Sequence, residues 1–210
     1  MLASRVISRV RRTLIDEDAV TWTDAQLLDY LSAAERLVCS IKPDEYVKRE
    51  TVTLVAGVDQ ELPDDGLSLF EVLRNASGRA VNLVGKDLLD NTDATWAANT
   101  PSDTITEYCA DHRSPRLFYV NPPATTSAQV VLLYGALPPA LSTVGDTLTV
   151  SDVLENALWG YTIALAYAEN TKRQDLGKSN QWMAFATQNV AGRETTQKTA
   201  APELGLAERT

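Results

Sequence analysis

Residues 27–54, LLDYLSAAERLVCSIKPDEYVKRETVTL, hold the change of period on which the fold turns. Leu27, Leu28, Leu31, Ala34, Leu37, Val38 and Ile41 recur at helical spacing, which draws one apolar stripe. Pro43 stops that helix, because its ring removes an amide donor and clashes with the preceding turn. Beyond Tyr46 come Val47, Glu50, Val52 and Leu54, a short β-branched run that favours a strand.

Toward the N-terminus, Thr23 and Gln26 have the spacing of a capping box, with Trp22 placed to staple onto Leu27. An earlier helix carries Leu2, Val6, Val10 and Leu14 as its stripe and Arg5, Arg9 and Arg12 on its outer side. An acidic loop, Asp16-Glu17-Asp18, ends it.

Toward the C-terminus, about six strands are expected up to Val150. Ala56-Gly57 and Asp64-Asp65-Gly66 read as turns. Leu69–Arg74 and Ala80–Val84 flank Asn75-Ala76-Ser77-Gly78, which reads as a hairpin with Gly78 in the left-handed position. Lys86–Asn91 suggests a short helical turn, and 92–103 a loop anchored by Trp96. Thr104–Ala110, Arg116–Val120 and Gln129–Tyr134 complete the set, with Asn121-Pro122-Pro123 expected as the turn between the last two.

Helical period returns at Ser151, read as an N-cap with Asp152 and Glu155 in the first turn. The helix that follows is apolar on nearly every side, so it is either fully buried or shared with a neighbour. On the second reading Leu154, Leu158, Trp159, Tyr161 and Leu165 are candidate oligomer-interface residues. A last helix is expected over about Gln174–Val190, and a flexible tail after it. The fold class is therefore α+β. A helical bundle domain, residues 1–45 and 151–192, carries an inserted antiparallel β-rich domain, sandwich- or barrel-like, at 46–150, with a tail at 193–210.

Composition excludes several function classes. The chain has 210 residues, 44% hydrophobic and 22% charged, ordinary values for a globular protein. One histidine, His112, leaves no second imidazole for a metal site or a general base. Asp111-His112-Arg113-Ser114 gathers an acid, a base and a hydroxyl, but neighbours on an extended loop point apart and read as a polar turn. Asp64-Asp65 lacks further oxygen ligands at calcium-loop spacing. No phosphate loop, GxSxG or HExxH occurs. No catalytic residue, cofactor site or metal site is assigned, and only a carboxylate site through Asp64, Asp65 and Asp111 stays open to an enzyme. Cys39 and Cys109 have no paired spacing and read as core residues. The longest apolar run, Ala157–Ala168, falls short of the roughly 20 residues that span a bilayer, and no signal peptide is legible. A soluble protein made in a reducing cytoplasm is expected.

Charge is distributed unevenly. The first twelve residues carry Arg5, Arg9, Arg11 and Arg12 without an acid, a charge of +4, which leaves −13 on the rest of a chain whose total is −9. Such a helix is either a solvated face or a dock for an acidic partner or an acidic neighbouring copy. Arg5, Arg9 and Arg12, with Glu203, Leu204 and Leu206 of the tail, are the candidate docking residues.

Taken in order, WTDAQLLDYLSAAERLV, LPDDGLSLFEVLRNASGRAV, RSPRLFYVNPP, VVLLYGALPPAL, DVLENALWGYTIALAYAENTKR and QWMAFATQNV resemble the head-to-tail connector, or adaptor, proteins of tailed bacteriophages, particularly the tail tubular adaptors of short-tailed phages. The resemblance runs from about Trp22 to Val190 and rests on segment order, not on one specific motif. It implies a structural virion protein at the capsid vertex, made in the host cytoplasm. It further implies a ring of typically about twelve copies bridging the portal protein and a tail nozzle or other tail protein, with DNA passing through its lumen. A different reading makes the β-rich domain a tail-associated binding module for a carbohydrate or receptor, with Trp96 and Tyr108 as stacking aromatics.

Overall fold

The computed structural model describes residues 1–111, 113–169 and 172–200, with side chains up to residue 191. The chain divides into two units, residues 1–41 with the segment from Pro139 onward, and Lys42–Pro138.

The helical unit is built from α1 (Ala3–Leu14), α2 (Asp24–Ile41), α4 (Glu155–Ala168) and α5 (Leu176–Ala200). Ala3, Val6, Ile7, Val10 and Leu14 of α1 are buried, while Leu2 lies before the helix and is half-exposed. The capping box at the start of α2 is formed. Gln26 N–H donates to Thr23 Oγ1 at 3.3 Å, and Gln26 Oε1 accepts from Thr23 N–H at 2.9 Å. On α4 the buried residues run all round, from Ala157 to Ala166. Its cover comes from within the unit, chiefly α5 and α2 with α1. Gly160 lets α5 approach α4 closely, since a Cβ there would lie 3.0 Å from Ala186 Cβ.

Three expectations for this unit change. Ser151 makes no side-chain cap bond, because a 3-10 turn at Asp152–Leu154 precedes α4 and Ser151 contributes only its carbonyl, to Leu154 N–H. The last helix extends to Ala200, so residues 193–200 are helical where a flexible tail was expected. Residues 139–150 belong with the helices, not the strands. Leu2 bridges Thr147, Ala3 N–H donates to Asp146 O, and Ser32 Oγ accepts from Leu141 N–H. Glu35 Oε1, wholly inside, accepts from the amides of Thr149 and Val150 and from Thr149 Oγ1.

The strand unit holds β1 (Val47–Thr53), β2 (Gly57–Glu61), β3 (Gly66–Asn75), β4 (Asn82–Leu83), β5 (Glu107–Ala110), β6 (Leu117–Ala124) and β7 (Gln129–Ala136), with the short α3 (Lys86–Thr92) between β4 and β5. They form two sheets, ordered β1-β7-β3 and β2-β6-β5-β4, packed as a sandwich and not closed into a barrel. All pairs are antiparallel except β4 with β5. Val130, Leu132, Tyr134 and Ala136 alternate inward from β7 and meet Phe118 and Val120 of β6 in the core, as the two-residue period of a strand requires. Asn75 is sealed in this core, donating to Ile105 O at 2.8 Å and accepting from Ile105 N–H at 2.8 Å.

Two strand expectations also change. The turn at 75–78 is present, with Gly78 at φ +103°, but the chain leaves β3 after one bridge, Arg74 to Ala80, and β4 pairs with β5 instead. Asn121-Pro122-Pro123 is not a turn. β6 continues through it to Ala124, with a cis bond at Asn121–Pro122.

Candidate partner-docking surfaces

On the helical unit the arginines of α1 meet the start of α4. Arg5 Nη2 lies 2.9 Å from Glu155 Oε2, and Arg9 Nη1 lies 3.4 Å from Glu155 Oε1 and 2.9 Å from Asn156 Oδ1. The Arg9 guanidinium also sits over the Trp159 ring at 3.9 Å. Trp159, Trp182 and Phe185 stack edge to face on one another, with centroids 4.7 to 5.9 Å apart, the arrangement that aromatic quadrupoles prefer. The result is a partly exposed aromatic patch capped by a cation. Arg12 is exposed beside it in sequence, whereas Arg5 and Arg9 are engaged within the chain.

Of the five residues expected at an oligomer interface, Leu154, Leu158 and Tyr161 are wholly inside this unit, and Tyr161 Oη bonds to Thr187 Oγ1 at 3.1 Å. Trp159 and Leu165 are only partly covered. The long α5 provides the cover that sequence reasoning assigned to a neighbour. Glu203, Leu204 and Leu206 lie outside the described residues.

Sequence reasoning missed Arg11, which turns inward. It donates to the carbonyls of Asp16 and Trp22 at 3.1 and 3.0 Å and pairs with Asp16 and Asp24. Asp16 in turn accepts from the amides of Val20, Thr21 and Trp22. Burial is the largest influence on that carboxyl and opposes its ionisation. The amides of Trp22 and Thr21, with Arg11, outweigh it and hold the carboxyl below its ordinary value. The one legible signal was spacing, since Arg11 falls one turn after Ile7 on the buried side.

The strand unit has an open groove of about 1020 Å³ lined by Leu69, Phe70, Leu83, Tyr108, Arg113 and Tyr119 among others. The two aromatics named for sugar stacking expose little surface, although Tyr108 borders the groove. Trp96 is buried, its indole N–H donating to Asp90 Oδ1 at 2.8 Å, and Tyr108 is buried in the core. Asp64 and Asp65 are not among the groove residues, although Asp111 is. Asp65 is instead engaged with Lys48 and Tyr134. His112 lies outside the described residues, and around it Asp111 accepts from Arg113 N–H at 2.8 Å. Among the described residues no three His, Cys, Asp or Glu gather around a possible metal position. Cys39 and Cys109 are both buried.

The family model described as SU10 adaptor protein matches residues 1–204. The chain belongs to this adaptor family. No curated protein matches it. The family is one of structural phage proteins and is not known for catalysis. The adaptor is thus a virion component that associates with other phage head and tail proteins. No described helix of the adaptor is long and apolar enough to cross a membrane.

Proposed function

We propose that this protein is a head-to-tail adaptor that assembles as a ring, of about twelve copies, between the portal and the tail, and leaves a channel through which DNA passes. The observation that carries the reading is the family match over residues 1–204. Two physical features support it. Trp159, Trp182 and Phe185 form a partly exposed aromatic patch of the kind that anchors protein interfaces, and we assign it, with Leu165, to the contact between copies. A head-to-tail contact of that sort repeats until the ring closes. The acidic balance of −9 suits a lumen past which DNA slides without adhering, because like charges repel. Arg12 and the tail residues Glu203, Leu204 and Leu206 are assigned to docking on the portal.

Light scattering and negative-stain microscopy of the purified protein, alone and mixed with the portal and tail proteins of the same phage, test the reading. Rings, or a complex with either partner, are expected. A chain that stays monomeric and binds neither refutes it.

A further inference from the structure

A head-to-tail ring needs two different faces on every copy, because the surface offered to one neighbour is met by another surface on that neighbour. The patch of Trp159, Trp182 and Phe185 supplies one face and leaves its counterpart unassigned. That counterpart has to be apolar, exposed in the single chain and opposite in charge at its rim.

α2 carries such a face. Ala33, Leu37 and Ile41 follow one another one helical turn apart and all three are exposed, Leu37 by 36% and Ile41 by 48%. Another side of α2, with Leu27, Leu31, Ala34 and Val38, is buried against α4 and α1. A surface helix covers one side with its core and keeps the remainder polar. α2 departs from that pattern at Leu37 and Ile41, and the fold of the helical unit gives no reason for it.

The two faces match in shape and in charge. On α5, Trp182 and Phe185 stand three residues apart, whereas the α2 face repeats every four. Rows of those two spacings seat into each other when helices cross at about 20°. The small Ala33 beside Leu37 and Ile41 leaves room for a bulky ring, the large-against-small pattern of a packed interior. Beside the patch, α1 presents Arg5, Arg9 and Arg12, of which Glu155 answers two. Lys178 of α5 is offset by Asp175. α2 presents Asp29 and, bonded to its Gln26, Glu169, against one guanidinium, Arg36. Asp24 of α2 is offset by Arg11, and Lys42 after its end by Glu45. Cations therefore exceed carboxylates beside the patch, and carboxylates exceed cations beside the α2 face.

From this geometry we infer that the aromatic patch of one copy docks on the Ala33, Leu37 and Ile41 face of α2 in the next. The inference rests on the adaptor-ring reading and names the second surface of the same contact. A patch that met its own like would bring the arginines of both copies together, and would close a pair instead of a ring.

Thiol cross-linking of the assembled protein tests it, with wild type as the control for the buried Cys39 and Cys109. The double variant Leu37→Cys/Phe185→Cys, treated with a short bismaleimide, is expected to give a ladder of multimers, since each copy links to one on either side. Each single variant is expected to cross-link no more than wild type. Gln181→Cys, exposed one turn before Phe185, takes the place of Phe185→Cys should the latter lower Tm. Leu37→Ser/Ile41→Ser is expected to keep Tm within a few degrees of wild type. It is also expected to raise the concentration for half-assembly at least tenfold, as one buried aliphatic side chain exceeds the ~1.4 kcal/mol that a factor of ten represents. Dimers from a single variant, rings seen by negative stain that yield no ladder, or undiminished assembly by the serine variant overturn the docking assignment and leave the ring standing. A large fall in Tm for the serine variant shows the face to be covered within the chain and overturns the assignment too. Wild-type protein that forms no ring, alone or on the purified portal, overturns the ring reading and this contact with it.

Discussion

Replacing Asp16 by Asn tests whether the α1–α2 loop is held by a buried charge. The Asp16 side chain is 2% exposed and the Arg11 side chain 10%, with Arg11 Nη1 3.5 Å from Asp16 Oδ2. Asparagine keeps the shape but loses the charge, and it turns an amide donor toward backbone N–H groups that also donate. Removing one member of a buried pair costs about 3–5 kcal/mol. Arg11 retains Asp24 at 2.6 Å and two carbonyls, which sets the expected loss at the lower end, about 3 kcal/mol. That corresponds to a fall in Tm of about 10 °C for a chain of this size. Urea unfolding followed by tryptophan fluorescence reads the change, with Trp22 bonded directly into the network. The pH dependence adds an independent check. The carboxyl is held below its ordinary value in the folded protein, so its stabilisation is complete above the unfolded pKa of about 3.9. It is lost as pH falls through the lower folded value. The gap between wild type and Asp16→Asn is therefore constant near neutral pH and closes in acid. A loss under about 0.5 kcal/mol at neutral pH, the range of an ordinary surface change, refutes the reasoning. A gap that widens in acid does the same.

Three further substitutions probe the packing. Asn75→Ala strands the amide and carbonyl of Ile105 inside the sandwich, and denaturant titration is expected to show a loss of about 2–4 kcal/mol. Gly135→Ala places a Cβ 2.5 Å from the Pro43 carbonyl oxygen, so thermal unfolding of the strand unit is expected at lower temperature, by about 1–3 kcal/mol of overpacking. Gly160→Leu forces α4 away from Ala186 and Phe185, and is expected to cost about 1–3 kcal/mol and to shift the fluorescence of the neighbouring Trp159.

Much of the architecture was legible because it depends on local period and local chemistry. The α2 stripe from Leu27 to Val38 (though not its members Leu37 and Ile41, which are exposed), the capping box of Thr23 and Gln26, and the inward alternation along β7 are properties of residues close in sequence. The class, α+β with strands set between helices, follows from them. Partnering was less legible. β4 leaves its sequence neighbour for β5, and residues 139–150 turn from the strands to the helices because Ser32 and Glu35 capture their amides. Both choices involve groups far apart in the chain.

The docking residues divide the same way. That α4 is apolar on all sides is a fact of its residues. Whether those sides face a neighbour or the chain itself depends on how much cover the other helices supply, and α1, α2 and α5 together bury Leu158 and Tyr161 while leaving Trp159 partly in solvent. The four early arginines were countable, yet nothing local separates Arg11 from Arg12. Composition determined that this acidic chain, with one histidine, works without an imidazole pair or a His-rich metal site. Only the tertiary structure decided that Arg11 faces inward, anchoring the carboxylate that holds Ile15 and Val20 out in solvent, because a side chain's burial is set by what packs against it.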